Sequence, residues 1–179
     1  KKMQLQLSKY QKTEIQSINL QVSLYYNMFK NLKDVRIDIK IPTLVWSRIY
    51  KKLHDQRLQI QNLTILPNCV PDASEIVDFC QMFSLVKQRL KLQSCSTIGN
   101  AVSIVLKYFR GTELVLYDCS VSDTYLASLI VFLKENQNLK LLDLRKNRLS
   151  LQSIAVLETE IAKRGRVDLM VHLNSAFGK

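Results

Sequence analysis

The stretch "LKLLDLRKNRLS", Leu139 to Ser150, sets leucines at Leu139, Leu142, Leu144 and Leu149, with Asn147 between the last two. The rhythm does not alternate cleanly, as in a strand with one buried face. Nor does it recur every three to four residues, as in an amphipathic helix. A composite unit fits it. Leu142 and Leu144, two residues apart, put both side chains on one side of a short strand. Asn147 then turns the chain, where its amide can bond backbone groups that the turn exposes.

The same pattern, L-x-x-L-x-L-x-x-N-x-L, is the mark of leucine-rich repeats, and it recurs. "LVLYDCSV" (Leu114 to Val121) and "LKLQSCST" (Leu90 to Thr97) repeat it with Cys119 and Cys95 in the Asn place. "LQIQNLTI" (Leu58 to Ile65) and "VRIDIKI" (Val35 to Ile41) are weaker copies, with "LQL" at Leu5 to Leu7 and "VDLMVHL" at Val167 to Leu173 at the ends. Starts at 5, 35, 58, 90, 114, 142 and 167 lie about 27 residues apart on average. The unit from Leu58 to Leu90 is long at 32 residues, with an insertion expected around "LPNCVPDAS". Its turn position falls on Leu63, one place after Asn62.

Between the strands run apolar triplets at spacing three then four, the inward stripe of a helix. They are Tyr25/Met28/Leu32, Trp46/Ile49/Leu53, Ile76/Phe79/Phe83, Val102/Val105/Phe109, Leu126/Leu129/Leu133 and Ile154/Leu157/Ile161. Ser122-Asp123, Pro71-Asp72 and Pro42-Thr43 stand where helices should begin, because they accept from or dispense with free first-turn N–H groups. Gly111 and Gly165 stand where two should end. The helix after Pro71 is expected to run around Ile76 to Val86.

With 179 residues, 47% hydrophobic and 23% charged, the chain suits one domain with a real core. Only four glycines and three prolines argue against an all-β sandwich. No apolar run approaches the ~20 residues of a membrane span, and "KKMQLQLSKY" shows no secretory h-region. Cys69, Cys80, Cys95 and Cys119 form no C-x-x-C pair, and His54 and His172 are the only imidazoles. The expectation is no metal, no cofactor and reduced thiols, so an intracellular location: cytoplasmic or cytoskeleton-associated, with an organelle still open.

The alternation of Cys95, Cys119 and Asn147 resembles the ribonuclease-inhibitor-like class of leucine-rich repeats, most strongly from about Leu90 to Leu173. The resemblance implies an α/β fold: a leucine-rich-repeat solenoid with parallel strands on a concave face and helices on a convex face. It implies a single domain over 1–179 of about six to seven repeats, with 1–34 irregular or capping. No polar cap is evident at either end, which fits a segment of a longer chain or an end docked on a partner. Relatives of this class include protein inhibitors, GTPase activators, immune sensors and subunits of ciliary assemblies.

No phosphate loop, H-E-x-x-H or G-x-S-x-G motif occurs. Cys95 as a nucleophile would need a base nearby, and His54 and His172 are far in sequence, so no enzyme activity is expected. Asp118 and Asp143 are expected on neighbouring strands, as partner-binding surface rather than acid–base machinery. The residues between inward leucines should face a partner: Arg36, Asp38, Gln59, Gln61, Lys91, Gln93, Val115, Tyr117, Asp118, Asp143, Arg145, Lys146, Asp168 and Met170. Tyr117 and Arg145 are the expected anchors. Further cations cluster in "RKNR", "KRGR" and "YKKLHDQR". The net charge of +11 favours acidic partners. These readings lead to a non-enzymatic protein–protein interaction scaffold, a structural subunit of a larger cytoskeletal or ciliary assembly. An RNA-binding or ribonucleoprotein subunit is the second choice and a GTPase-regulating protein the third, with no membrane insertion.

Overall fold

The computed structural model describes residues 17–30, 33–38, 41–71, 75–165 and 168–173. The expected strand at Leu5–Leu7, the helical position Leu32, the start signal at Asp72 and the basic Arg166 lie outside the described residues. The chain is an α/β protein. Residues 17–30 form helix α1, which contains Tyr25 and Met28 of the first expected triplet. There follow β1 (Asp34–Ile37), α2 (Thr43–Asp55), β2 (Ile60–Ile65), α3 (Ile76–Gln81), β3 (Val86–Gln93) and α4 (Val102–Tyr108). β4 (Glu113–Tyr117), α5 (Leu126–Glu135), β5 (Leu141–Asp143), α6 (Leu151–Lys163) and β6 (Met170–His172) complete the order. Tight 3-10 turns at Pro67–Cys69, Met82–Leu85, Ser96–Ala101 and Asp123–Tyr125 supplement the short helices. The six strands build one open sheet in sequence order, every pair parallel.

The register corrects two of the strand frames. Val35 pairs with Leu63, Leu63 with Leu90, Leu90 with Leu114, Leu114 with Leu142, and Leu142 with Val171. The inward strand of the second unit is therefore Leu63-Thr64-Ile65, not Leu58-Gln59-Ile60, and the last is built on Val171 rather than Val167. Successive units are then 28, 27, 24, 28 and 29 residues long. The supposed insertion disappears. Inward residues Val35, Ile37, Leu63, Ile65, Leu90, Leu92, Leu114, Leu116, Leu142 and Leu144 are all buried.

The helical triplets meet these residues in the core, where Trp46, Ile49, Leu53, Ile76, Phe79, Phe83, Val102, Val105 and Phe109 are buried. Phe29, Trp46, Phe79 and Phe83 form a chain of tilted and edge-on rings, 5.2 to 5.9 Å apart, joining the first helices. The third helix is shorter than expected: it gives way to a 3-10 turn at Met82, and Val86 already begins β3. Gly165 ends α6 with φ +59, the left-handed conformation that glycine adopts without penalty.

β2, β3, β4 and β5 each end in a turn whose side chain binds the preceding unit. Cys69 Sγ donates to Ile37 O (3.3 Å), Cys95 Sγ to Ile65 O (3.7 Å), and Cys119 Sγ to Leu92 O (3.3 Å). Asn147 Nδ2 donates to Leu116 O (2.6 Å). Ile37 O also accepts from Leu66 N (3.1 Å), so there the thiol adds a second bond to a backbone one. In three units the residue before the donor is left-handed: Ser94 (φ 54), Asp118 (φ 55) and Lys146 (φ 59). Pro67 occupies the matching place in the second unit. Its ring holds φ near about −65°, so it cannot take that conformation. The chain makes a 3-10 turn there instead, and the donor moves one residue on, to Cys69. That displacement is why the sequence pattern missed Cys69.

Asn147 does more than the thiols. Its Oδ1 accepts from the N–H groups of Cys119 (2.9 Å) and Val121 (3.0 Å), and its Nδ2 also donates to Leu144 O (2.8 Å). Close packing at this level also explains Gly99: a Cβ there would lie 2.7 Å from Ser120 O. Asn147→Ala orphans two buried N–H groups and two carbonyls, so it is expected to destabilise by about 3 kcal/mol or more. Cys119→Ala, losing a weaker donor and a small volume, should cost about 1–2 kcal/mol. Urea unfolding midpoints of the two variants check the order; equal costs would contradict the network.

Candidate interaction face

Because inward residues alternate with outward ones, the register also assembles the opposite face of the sheet. One row across it reads Asp34, Asn62, Arg89, Glu113, Leu141 and Met170. The next reads Arg36, Thr64, Lys91, Val115, Asp143 and His172, and beyond it Gln93 pairs with Tyr117. Arg89 forms an ion pair with Glu113, and Asn62 donates to Asp34. Parallel sheets usually have both faces covered. Here Arg36 and Arg89 are exposed and Thr64, Lys91, Gln93 and Tyr117 half-buried, so this face is largely open.

Of the residues expected to face a partner, Arg36, Lys91, Gln93, Val115, Tyr117, Asp143 and Met170 lie in these rows. Asp118, Arg145 and Lys146 stand in the turns just past β4 and β5. Gln59, Gln61 and Asp168 do not belong to the rows. Gln59 is in the loop before β2, and Gln61 sits where the register shifts between Ile60 and Asn62. Asp168 is in the turn before β6. All three errors follow from the misplaced strand frames. The rows instead contain Asn62, Thr64, Arg89, Glu113, Leu141 and His172, which were missed. Even spacing from Val35 would have found Asn62 and Thr64, since placing the strand at Leu63 removes the need for an insertion.

Asp143 and Asp118 do not form a pair: Asp143 lies opposite Val115, three residues before Asp118. Asp143 instead anchors Arg145. Its Oδ1 accepts from Arg145 N (3.1 Å) and Nε (3.0 Å), and its Oδ2 from Nη2 (2.6 Å). His172 Nδ1 lies 3.8 Å from the same Oδ2 and is buried without a hydrogen-bond partner. Asp143 is 4% exposed. Burial pushes its carboxyl up, but the Arg145 hydrogen bonds, with the Arg145 and His172 charges, outweigh that and hold it below the ordinary value. The same hydrogen bond raises the Arg145 guanidinium.

Arg145 so held lies with its Cζ 5.8 Å from the Tyr117 ring centre, and Lys146 Nζ lies 5.3 Å from it. Both are within cation–π range. Hydrogen bonding to Tyr117 raises the Lys146 ammonium. On the neighbouring turn, Ser94 Oγ donates to Asp118 Oδ2 (2.8 Å). The result is one aromatic ring with two cations within reach, two residues past Val115 on β4; Leu141 and Met170 lie further back, in the row of Glu113. This suits a polypeptide surface better than a reaction. Cys95 is buried with its thiol on Ile65 O and Gln93 O, and hydrogen bonding with Cys119 and burial push it up. Burial alone pushes the Cys80 thiol up to about 12. Among the described residues no cluster of three His, Cys, Asp or Glu side chains could hold a metal, and no helix is long and apolar enough to cross a membrane.

The depressed Asp143 carboxyl stabilises the fold fully above the ordinary carboxylate value of about 3.9, and that contribution is lost as pH falls through the lower native value. Asp143→Asn should therefore flatten the acid limb of stability. Urea midpoints followed downward from about pH 6 check this; a limb of unchanged steepness would contradict it.

No family model matches the chain, and no curated protein matches it.

Proposed function

We propose that this chain is a leucine-rich-repeat solenoid of the ribonuclease-inhibitor-like type, serving as a non-enzymatic scaffold that holds a protein partner against its open sheet face. Three features support the architecture: strands added in sequence order, near-equal unit lengths, and a side-chain donor carried from unit to unit. Right-handed crossovers, the rule for parallel strands, put all the helices on one side. Strands stack about 4.8 Å apart, whereas packed helices need about 8–10 Å. Such a stack must curve with its strands inward, which makes the polar face concave.

The single observation that carries the function is the Tyr117 ring between Arg145 and Lys146 on that face. Tyr and Arg dominate interface energetics; Tyr loses little side-chain freedom on binding, and Arg145 is already held by Asp143. The mixed charge of the face, with Arg89 bound to Glu113 and Arg145 to Asp143, suits a protein more than a phosphate backbone. The four cysteines are unpaired and buried, which supports an intracellular setting. A structural subunit of a cytoskeletal or ciliary assembly is the home that family analogy favours.

Affinity purification followed by crosslinking mass spectrometry tests the reading. Partner crosslinks are expected at Lys91 and Lys146, and crosslinks confined to the helices would contradict it. With the partner in hand, Tyr117→Ala is expected to weaken binding about 30-fold or more while leaving the unfolding midpoint nearly unchanged.

A further inference from the structure

The positive charge of this chain does not sit on the sheet face. Residues 1–57 carry 12 Lys and Arg against 4 Asp and Glu, a net +8 of the total +11; residues 58–179 carry only +3. Half of that +8 is carried by the described residues, and most of that half lies on the helices: Lys30 on α1, and Arg48, Lys51 and Lys52 against Asp55 on α2. Arg48, Lys51 and Lys52 follow one another along α2, where the one carboxylate is Asp55, 3.7 Å from His54. No carboxylate pairs with Arg48, Lys51 or Lys52 among the described residues. α1 lies directly beside them: Arg48 Nη1 donates to Asn19 Oδ1 (2.9 Å), and Lys52 Nζ sits 4.0 Å from the Tyr26 ring centre. Residues 17–30 contain no acidic side chain.

The same surface exposes large apolar side chains. Leu20 is 73% and Leu24 65% exposed on α1, one turn apart, and Leu44 is 50% exposed on α2. Unpaired cations interspersed with exposed leucines mark a docking surface rather than a merely solvated one. We propose that the outer surface of α1 and α2 is a second docking site, for an acidic protein segment that carries apolar side chains among its carboxylates. The site stands independently of the sheet-face reading, and it lets the chain bridge two partners.

Two other polyanions fit less well. Single-stranded nucleic acid is held largely by stacking on accessible rings; on α1 and α2 Tyr26, Phe29 and Trp46 are buried, and Tyr25 and Tyr50 are half-buried, Tyr50 against the His54 ring. A helix lying on an anionic membrane separates its apolar and cationic residues onto opposite faces. On α2 Leu44, Arg48 and Lys51 share one stripe at i, i+4 and i+7, so the two kinds are mixed.

The test uses a fluorescent Glu-rich peptide with Leu at every fourth position, in low salt, with oligo(U) and phosphatidylserine vesicles as comparison ligands. Arg48→Glu with Lys51→Glu, both exposed, is expected to weaken peptide binding about tenfold or more. Leu24→Ala with Leu44→Ala should weaken it about threefold. Lys91→Glu with Lys146→Glu on the sheet face should leave it within about twofold. Circular dichroism confirms that each variant is folded. The proposal is overturned if the peptide does not bind, if the α2 charge reversal leaves binding unchanged, or if oligo(U) or the vesicles bind more tightly than the peptide.

Discussion

Past the ends of β2, β3, β4 and β5, a turn side chain reaches back to a buried carbonyl near the end of the preceding strand. Asn147 serves Leu116 O, Cys119 serves Leu92 O, Cys95 serves Ile65 O and Cys69 serves Ile37 O. A unit on its own would bury neither its leucines nor these carbonyls. Cohesion is therefore a property of neighbours, and the stability of the stack is expected to be a sum over adjacent units. The donors differ in strength. An amide forms full hydrogen bonds in both directions, whereas a thiol is a weak donor that also fills apolar space. The one asparagine is thus the strongest clasp, and it lies between the fourth and fifth strands, next to the ring and cations of the sheet face.

Much of this was legible in the sequence because the periods are physical. Leucines two apart predict a strand with one buried face, and Leu90/Leu92, Leu114/Leu116 and Leu142/Leu144 are so placed. Triplets such as Trp46/Ile49/Leu53 predict a buried helical stripe, and they form one. The failures have a common cause. In "LQIQNLTILPNC" both Leu58/Ile60 and Leu63/Ile65 satisfy the strand pattern, and the turn residue that should decide between them is displaced by Pro67. The frame therefore slipped by five residues, carrying Gln59 and Gln61 onto a face they do not occupy and leaving Asn62 and Thr64 out. Asp143 was legible as a face residue but not as the anchor of Arg145, since that depends on backbone geometry past the strand end. His172 lies in the edge strand β6, and its nearness to Asp143 depends on the β5–β6 register.

Charge gives a second lesson about what composition conveys. A net charge of +11 reads as a preference for acidic partners, but composition does not say which surface carries it. On the open sheet face, however, two of the cations are tied to carboxylates, Arg89 to Glu113 and Arg145 to Asp143, so its charge is mixed. Most of the excess charge belongs to the first third of the chain, and among its described residues the cations Arg48, Lys51 and Lys52 lie on α2. One molecule then offers two kinds of surface. An ordered, part-apolar face rigidly presents Tyr117 and Arg145, and a helical flank attracts by charge at longer range and is sensitive to salt.

The central claim is that the strands add one after another in a single parallel array. Interstrand amide contacts in a perdeuterated, amide-protonated sample test it most directly by nuclear Overhauser spectroscopy. The account predicts contacts that join the Leu63, Leu90, Leu114 and Leu142 segments strictly in that order. Contacts between non-consecutive segments, such as Leu63 with Leu142, or an antiparallel pattern between any two, would contradict it.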